Sequence, residues 1–141
     1  KCIKLEFPEN LSKVHFIKMT LTEDGKVVSD NFYHRSLEEN NYQDLCQLAK
    51  VALQSATTVD KNADGTWSAV SVIENKTSTP ALMIRLNVVD GKDDQQILPV
   101  FYSDNYFSLL PGEKKEVRMS WRDEDTRGNE GKVLITGYNV E

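Results

Sequence analysis

The chain has 141 residues, of which 39% are hydrophobic and 28% charged, and its formal net charge is −5. That length suffices for one ordinary domain with a core, or for one sandwich plus a fragment of a neighbour, and two full domains are not expected. No apolar run approaches the roughly 20 residues of a membrane-spanning helix, and acidic and basic residues alternate along the chain without the basic patch that binding nucleic acid requires, so neither membrane nor nucleic acid is an expected partner.

The first seven residues, Lys1 to Phe7, lack the basic start, apolar stretch and small-residue cleavage site of a secretion signal, so for an exported protein the signal is expected upstream. Cys2 and Cys46 are the two cysteines. They lie far apart in segments of different character, which gives neither a disulfide framework nor a paired metal-ligand spacing; two free thiols are expected. Strands are predicted over 14–22 and 26–35 around the turn Glu23-Asp24-Gly25. Over 41–49, Tyr42, Leu45, Cys46 and Ala49 fall at helical spacing, with Asn40 or Asn41 placed to cap the first turn, which predicts a short connector helix.

Beyond the connector a period of two dominates. Val51, Leu53, Ser55, Thr57 and Val59 share one face of a strand. Leu82, Ile84, Leu86 and Val88 alternate with Met83, Arg85 and Asn87, and Val117, Met119 and Trp121 alternate with Glu116, Arg118 and Ser120. Further strands are predicted over 67–74, 96–102 and 132–140. The turns between them fall at Asp64-Gly65, Asp90-Gly91, Pro111-Gly112 and Gly128-Asn129, where glycine supplies positive φ and proline presets the turn entry. Short strands joined by glycine turns predict an all-β sandwich or barrel, and about seven strands after the connector are enough for a complete sandwich. The expected organisation is a terminal hairpin over 1–36, a connector over 37–48 and a sandwich over 49–141. A two-stranded hairpin is not stable alone, so 1–36 is expected to belong to a domain whose other strands lie outside this sequence.

Three blocks carry a family resemblance: Val27-Val28-Ser29-Asp30-Asn31-Phe32-Tyr33; the run from Ile97 through Pro99-Val100-Phe101-Tyr102-Ser103-Asp104-Asn105-Tyr106-Phe107 to Leu110-Pro111-Gly112-Glu113; and Gly137-Tyr138-Asn139-Val140. Together they resemble the last two domains of family 2 glycoside hydrolases, in the branch of exo-β-glucosaminidases and β-mannosidases, over nearly the whole chain. The Pro-Val-aromatic-Ser-Asp-Asn-Tyr block is the specific part. Such enzymes have an N-terminal jelly roll, an immunoglobulin-like domain, a catalytic barrel and two further immunoglobulin-like domains, so the resemblance implies an immunoglobulin-like antiparallel β-sandwich preceded by the last hairpin of another. It also implies the barrel and the preceding domain of the same parent chain as partners, a bacterial source, and a periplasmic or secreted location. Where the family often has Tyr-Trp-Leu-Ser, this chain has Tyr33-His34-Arg35-Ser36, which leaves the parent's sugar open.

No catalytic residue is expected. Retaining glycosidases need two carboxylates about 5 Å apart, and the resemblance puts them in the barrel. Asn129-Glu130 has the form of the family's acid/base dipeptide but sits between Gly128 and Gly131 in a polar loop. Asp123, Glu124 and Asp125 read as a solvated hairpin tip. Asp60, Asn62, Asp64 and Gly65 match the first half of a calcium loop, yet position 12 is Ser71 and strands flank it, so a β-turn is expected. His15 and His34 have no second ligand at metal spacing, no nucleophile-elbow serine is present, and no glycine-rich stretch precedes a helix, so neither a metal nor a cofactor is expected. Asn75-Lys76-Thr77 matches a glycosylation acceptor and carries no weight in a chain resembling bacterial proteins.

Trp67, Trp121, Tyr102, Tyr106, Phe107 and Tyr138 read as core or interdomain packing. In the block from Tyr102 to Phe107, Ser103, Asp104 and Asn105 interrupt two aromatic stretches as a turn with self-bonding polar side chains would. Tyr102, Ser103, Asp104, Asn105 and Tyr106 are therefore the candidate interdomain docking loop. The expected function is that of a non-catalytic accessory domain. The alternatives are a carbohydrate-binding module, which needs an exposed aromatic platform, and an adhesion-type immunoglobulin-like domain, which needs a protein partner. Ile17, Met19 and Leu21 on one hairpin face, with Val14, Phe16 and Phe32 nearby, predict dimerisation or strand exchange of the isolated fragment.

Overall fold

The computed structural model describes residues 4–141; Cys2 lies outside them. The chain divides into two compact units, the first ending at Leu48 and the second running from Ala49 to Glu141.

In the first unit, β1 (Val14–Glu23) and β2 (Lys26–Ser36) form an antiparallel hairpin. Asp24 and Gly25 both have positive φ, 49° and 75°, the backbone of a two-residue turn whose twist matches the strands. On one face Phe16 meets Phe32 and His34, with ring centroids 5.4–5.5 Å apart. Met19 and Leu21 are exposed. The predicted helix over 41–49 is a single 3-10 turn, Gln43–Gln47, with no buried residue. A helix this short draws its stability from burying a face, and none is buried. Asn41 still acts locally, its Oδ1 accepting the Gln43 amide N–H at 3.2 Å.

The second unit is a two-sheet sandwich. One sheet runs β3 (Gln54–Lys61), β4 (Thr66–Glu74), β8 (Lys114–Arg122), β6 (Phe101–Tyr102); the other runs β7 (Phe107–Leu109), β5 (Ala81–Asp90), β9 (Gly131–Thr136). The pairings in both are antiparallel, and four strands on three is the partition of constant-type immunoglobulin domains. The inward halves of the alternating runs form one core: Ala69 and Ile73 from β4, Ile84, Leu86 and Val88 from β5, Val117, Met119 and Trp121 from β8. Val51 precedes β3, pairs in parallel with Val140, and is wholly buried.

Several segments differ from expectation: the strand over 132–140 ends at Thr136, and the one expected from Val51 starts at Gln54. The strand expected over 96–102 is reduced to Phe101–Tyr102, with Gln96 making an isolated bridge to Val89. Pro99 has no amide proton to give to a ladder, and the chain between the bridge and β6 is irregular. The strand Phe107–Leu109 was not anticipated, because its three residues are too few to show a period. Alternation along β5 also breaks at Met83, which has φ 51° where the β5–β7 register shifts.

Candidate functional site

The segment from Phe101 to Leu109 crosses from one sheet of the second unit to the other, and its polar residues explain how. Tyr102 pairs with Met119 at the edge of the first sheet, and its hydroxyl accepts the Val88 amide N–H of the second sheet at 3.2 Å. Burial pushes that hydroxyl above its ordinary pKa. Ser103 closes the edge: its amide N–H donates to Arg118 O at 2.8 Å, and its Oγ accepts the Arg118 N–H at 2.9 Å. Asp104 accepts the Asn105 amide N–H at 2.7 Å and pairs with Lys115. Asn105 then stands in for a missing strand: its Oδ1 accepts the Leu86 N–H at 2.9 Å, and its Nδ2 donates to Leu86 O at 2.9 Å. These main-chain groups of β5 lie beyond the end of β7, where no ladder partner remains.

Tyr106 completes the turn. It has φ 58°, a region costly for a bulky side chain, and Asn105 Oδ1 also accepts its amide N–H at 3.0 Å. Its ring is 60% exposed, and the Arg85 guanidinium stands over it 5.8 Å from the centroid. The five residues singled out in the sequence thus form one turn, in which Tyr102 points inward and Tyr106 outward.

The other sequence candidates are structural. Asp64 Oδ1 accepts both the amide N–H and the hydroxyl of Thr66, at 3.0 and 2.6 Å, which holds its carboxyl below the ordinary range. With Gly65 at φ 81°, this is a hairpin turn between β3 and β4. Asp123, expected as part of a solvated tip, is more than that. Its Oδ1 accepts Trp67 Nε1–H at 2.8 Å, and Lys61 Nζ lies 2.8 Å from each carboxylate oxygen. The lysine first, and the indole second, hold the Asp123 carboxyl below 3.8. Sequence reasoning missed this because Lys61, Trp67 and Asp123 become neighbours only when the β3–β4 hairpin meets the end of β8. The depression of about 490 Å³ beside them is lined by Asp64, Gly65, Thr66, Arg122, Asp123 and Glu124.

Asn129 donates to Asp90 Oδ2 at 2.9 Å and Glu130 O accepts the Gly91 N–H at 2.8 Å, so the dipeptide resembling an acid/base pair serves as a loop clasp. Asn75 is wholly buried; its Nδ2 donates to Thr79 O and Leu109 O, and its Oδ1 accepts from Thr77. It is not available as a glycosylation acceptor in the folded chain. His15 is buried with its ring edge-on to Phe7, and His34 packs on Phe16 and Phe32. Among the described residues no three His, Cys, Asp or Glu side chains converge as metal ligands, and no helix is long and apolar enough to cross a membrane.

Residues 31–140 match the family described as the exo-β-D-glucosaminidase Ig-fold domain. An exo-β-D-glucosaminidase of Arthroderma benhamiae is 31% identical over 91% of this chain and 16% of its own length. That of Streptomyces avermitilis is 29% identical over 92% of this chain and 16% of its own. Among solved structures, the Amycolatopsis orientalis exo-chitosanase CsxA superposes with a TM-score of 0.84 and 28% identity, over 94% of this chain and 18% of that one. The chain therefore spans between about a seventh and a fifth of the length of the exo-β-D-glucosaminidases it matches. These relatives come from fungi and bacteria alike, so they do not assign a bacterial source.

Proposed function

The chain belongs to the exo-β-D-glucosaminidase Ig-fold domain family, and from that premise we propose that it is a non-catalytic accessory part of a larger glycoside hydrolase acting on β-linked glycans, where it braces the catalytic barrel. The observation that carries this reading is the extent of the match: 91–94% of this chain, with its two-sheet core, corresponds to 16–18% of much longer hydrolases. The residues that resembled functional motifs in the sequence are used as clasps: Asp64, from the calcium-loop pattern, for a turn, Asp123, from the acidic tip, for Trp67 and Lys61, and the acid/base-like Asn129-Glu130 for the Asp90-Gly91 loop.

In this reading the hairpin over 1–36 is the end of a preceding immunoglobulin-like domain, 37–48 is a connector, and 49–141 is the accessory sandwich. The parent is an exported exo-β-glucosaminidase, and the turn from Tyr102 to Tyr106 is the docking loop. The exposed Met19 and Leu21 support self-association of the isolated chain through the hairpin; a strictly monomeric profile at high concentration would exclude it.

The test is removal of residues 49–141 from the parent polypeptide. The expected result is a lower unfolding midpoint of the remainder with the chemistry of the barrel retained. The proposal fails if the isolated 141-residue chain hydrolyses a β-glucosaminide at a rate abolished by a point change within it.

A further inference from the structure

We infer that Arg85 and Tyr106 form the centre of an interface whose partner is an acidic surface elsewhere on the parent polypeptide, with a carboxylate seated on the Arg85 guanidinium and an apolar group on the Tyr106 ring. This rests on the accessory reading above and names the chemistry of its contact.

The Arg85 cation is half-buried on β5 opposite Thr136, and among the described residues no carboxylate pairs with it. Arg118 and Arg122, on the other sheet, sit 2.8 and 2.9 Å from Glu116 and Glu124. An arginine guanidinium is a planar fork that a carboxylate meets with two hydrogen bonds. Tyr106 beside it is held in the left-handed region by Asn105, so the backbone that presents its exposed side chain is set before any partner arrives. Tyrosine and arginine are among the residues most often found to dominate interface energetics, and here the guanidinium stands 5.8 Å from the ring centroid.

Charge chooses the occupant. A glucosamine oligosaccharide would bring ammonium groups towards Arg85, which repels them. A second copy meeting this one through the same patch about a two-fold axis would set two Arg85 cations against each other. A carboxylate-bearing protein surface has neither problem, and relatives of this chain are several times longer than the segment it matches.

The experiment uses the full parent polypeptide, comparing wild type with Arg85→Glu, Arg85→Met and Tyr106→Ala by hydrogen exchange over 103–108, with the unfolding midpoint measured in parallel at low and high salt. Arg85→Glu is expected to raise exchange in that segment by roughly tenfold or more while leaving β4 and β8 protected. Arg85→Met, which keeps the stem, is expected to show a smaller effect and to abolish the salt dependence. Unchanged exchange in both arginine variants overturns the inference, as does quenching by glucosamine oligosaccharides that Tyr106→Ala removes. If deletion of 49–141 leaves the rest of the parent unaffected, it is the accessory reading itself that has failed.

Discussion

Trp67 and Trp121 lie face to face across the β4–β8 ladder, 3° from parallel with centroids 6.3 Å apart, yet only one indole N–H is bonded. Trp67 donates to Asp123, whereas Trp121 Nε1 is buried with no partner among the described residues. An unpartnered buried donor costs about 1–3 kcal/mol. Trp121→Phe removes that donor along with ring volume, so the two effects oppose each other; Trp67→Phe loses volume and a hydrogen bond together. Trp121→Phe is expected to destabilise by about 1 kcal/mol and Trp67→Phe by about 3 kcal/mol, although Trp121 is the more deeply buried at 2% against 9%. Denaturant unfolding of both variants checks the order, and the reverse order would mean that the Trp121 N–H is satisfied in solution.

Asp123 makes the pair sensitive to acid. Its folded pKa lies below the ordinary 3.8 because Lys61 and Trp67 bond the charged form. A depressed carboxylate contributes stability that is complete above about pH 4 and is lost as the pH falls through the folded value. Asp123→Asn keeps an acceptor for Trp67 but carries no charge for Lys61. It is expected to remove up to one proton from the uptake on unfolding as the pH falls below about 4, seen as a flatter dependence of the unfolding midpoint on pH. An identical slope in variant and wild type would contradict this assignment.

Asn105 completes the edge of β5 with its side chain. Asn105→Ala strands the N–H and C=O of Leu86 and frees the backbone of Tyr106, and is expected to cost about 2–4 kcal/mol. Asn105→Asp keeps an acceptor for the Leu86 N–H but faces Leu86 O with a carboxylate, so it should recover no more than about half. Equilibrium unfolding gives both numbers, and a loss under about 0.5 kcal/mol in the alanine variant would show that water replaces the amide.

Asn139 has the same role at the other end of the second unit. Its Oδ1 accepts the Leu82 N–H at 2.9 Å, its Nδ2 donates to Ala49 O at 3.1 Å and Pro80 O at 2.9 Å, and it is 2% exposed. One side chain thereby ties the start of the unit, the start of β5 and the C-terminal segment. Asn139→Ala is expected to cost about 3–5 kcal/mol, more than Asn105→Ala, because Asn139 is itself buried whereas Asn105 is half-buried, so water is less able to replace the lost amide. Thermal unfolding of the two variants side by side tests the ranking.

Tyr102 bridges the sheets through one hydroxyl, and Tyr102→Phe leaves the Val88 N–H without it. The expected loss is about 1–2 kcal/mol with the native circular dichroism retained. No loss would mean that the 3.2 Å contact contributes nothing in solution.

Elements with a local pattern are legible in the residues alone. Alternation along 84–88 and 117–121 marks which side chains face inward, because a strand repeats every two residues whatever it pairs with, whereas before the irregularity at Met83 it is Ala81 and not Leu82 that joins the core. Asp24-Gly25 and Asp64-Gly65 mark turns because few other residues accept positive φ. The block Tyr102 to Tyr106 stood out for the same local reason, its polar interruption of two aromatic stretches. Partnerships between residues distant in sequence emerge only once the chain has folded. Asn105 on Leu86, Asn139 on Leu82, Asp123 on Trp67 and Arg85 over Tyr106 each require two strands to be brought together first, and a side-chain amide or guanidinium carries no mark of the backbone group or ring it will meet. Gly131 gives the same lesson in steric form: a Cβ there would lie 2.9 Å from Trp121 Cζ2, a constraint written in the packing of β9 on β8 and nowhere in the neighbouring residues.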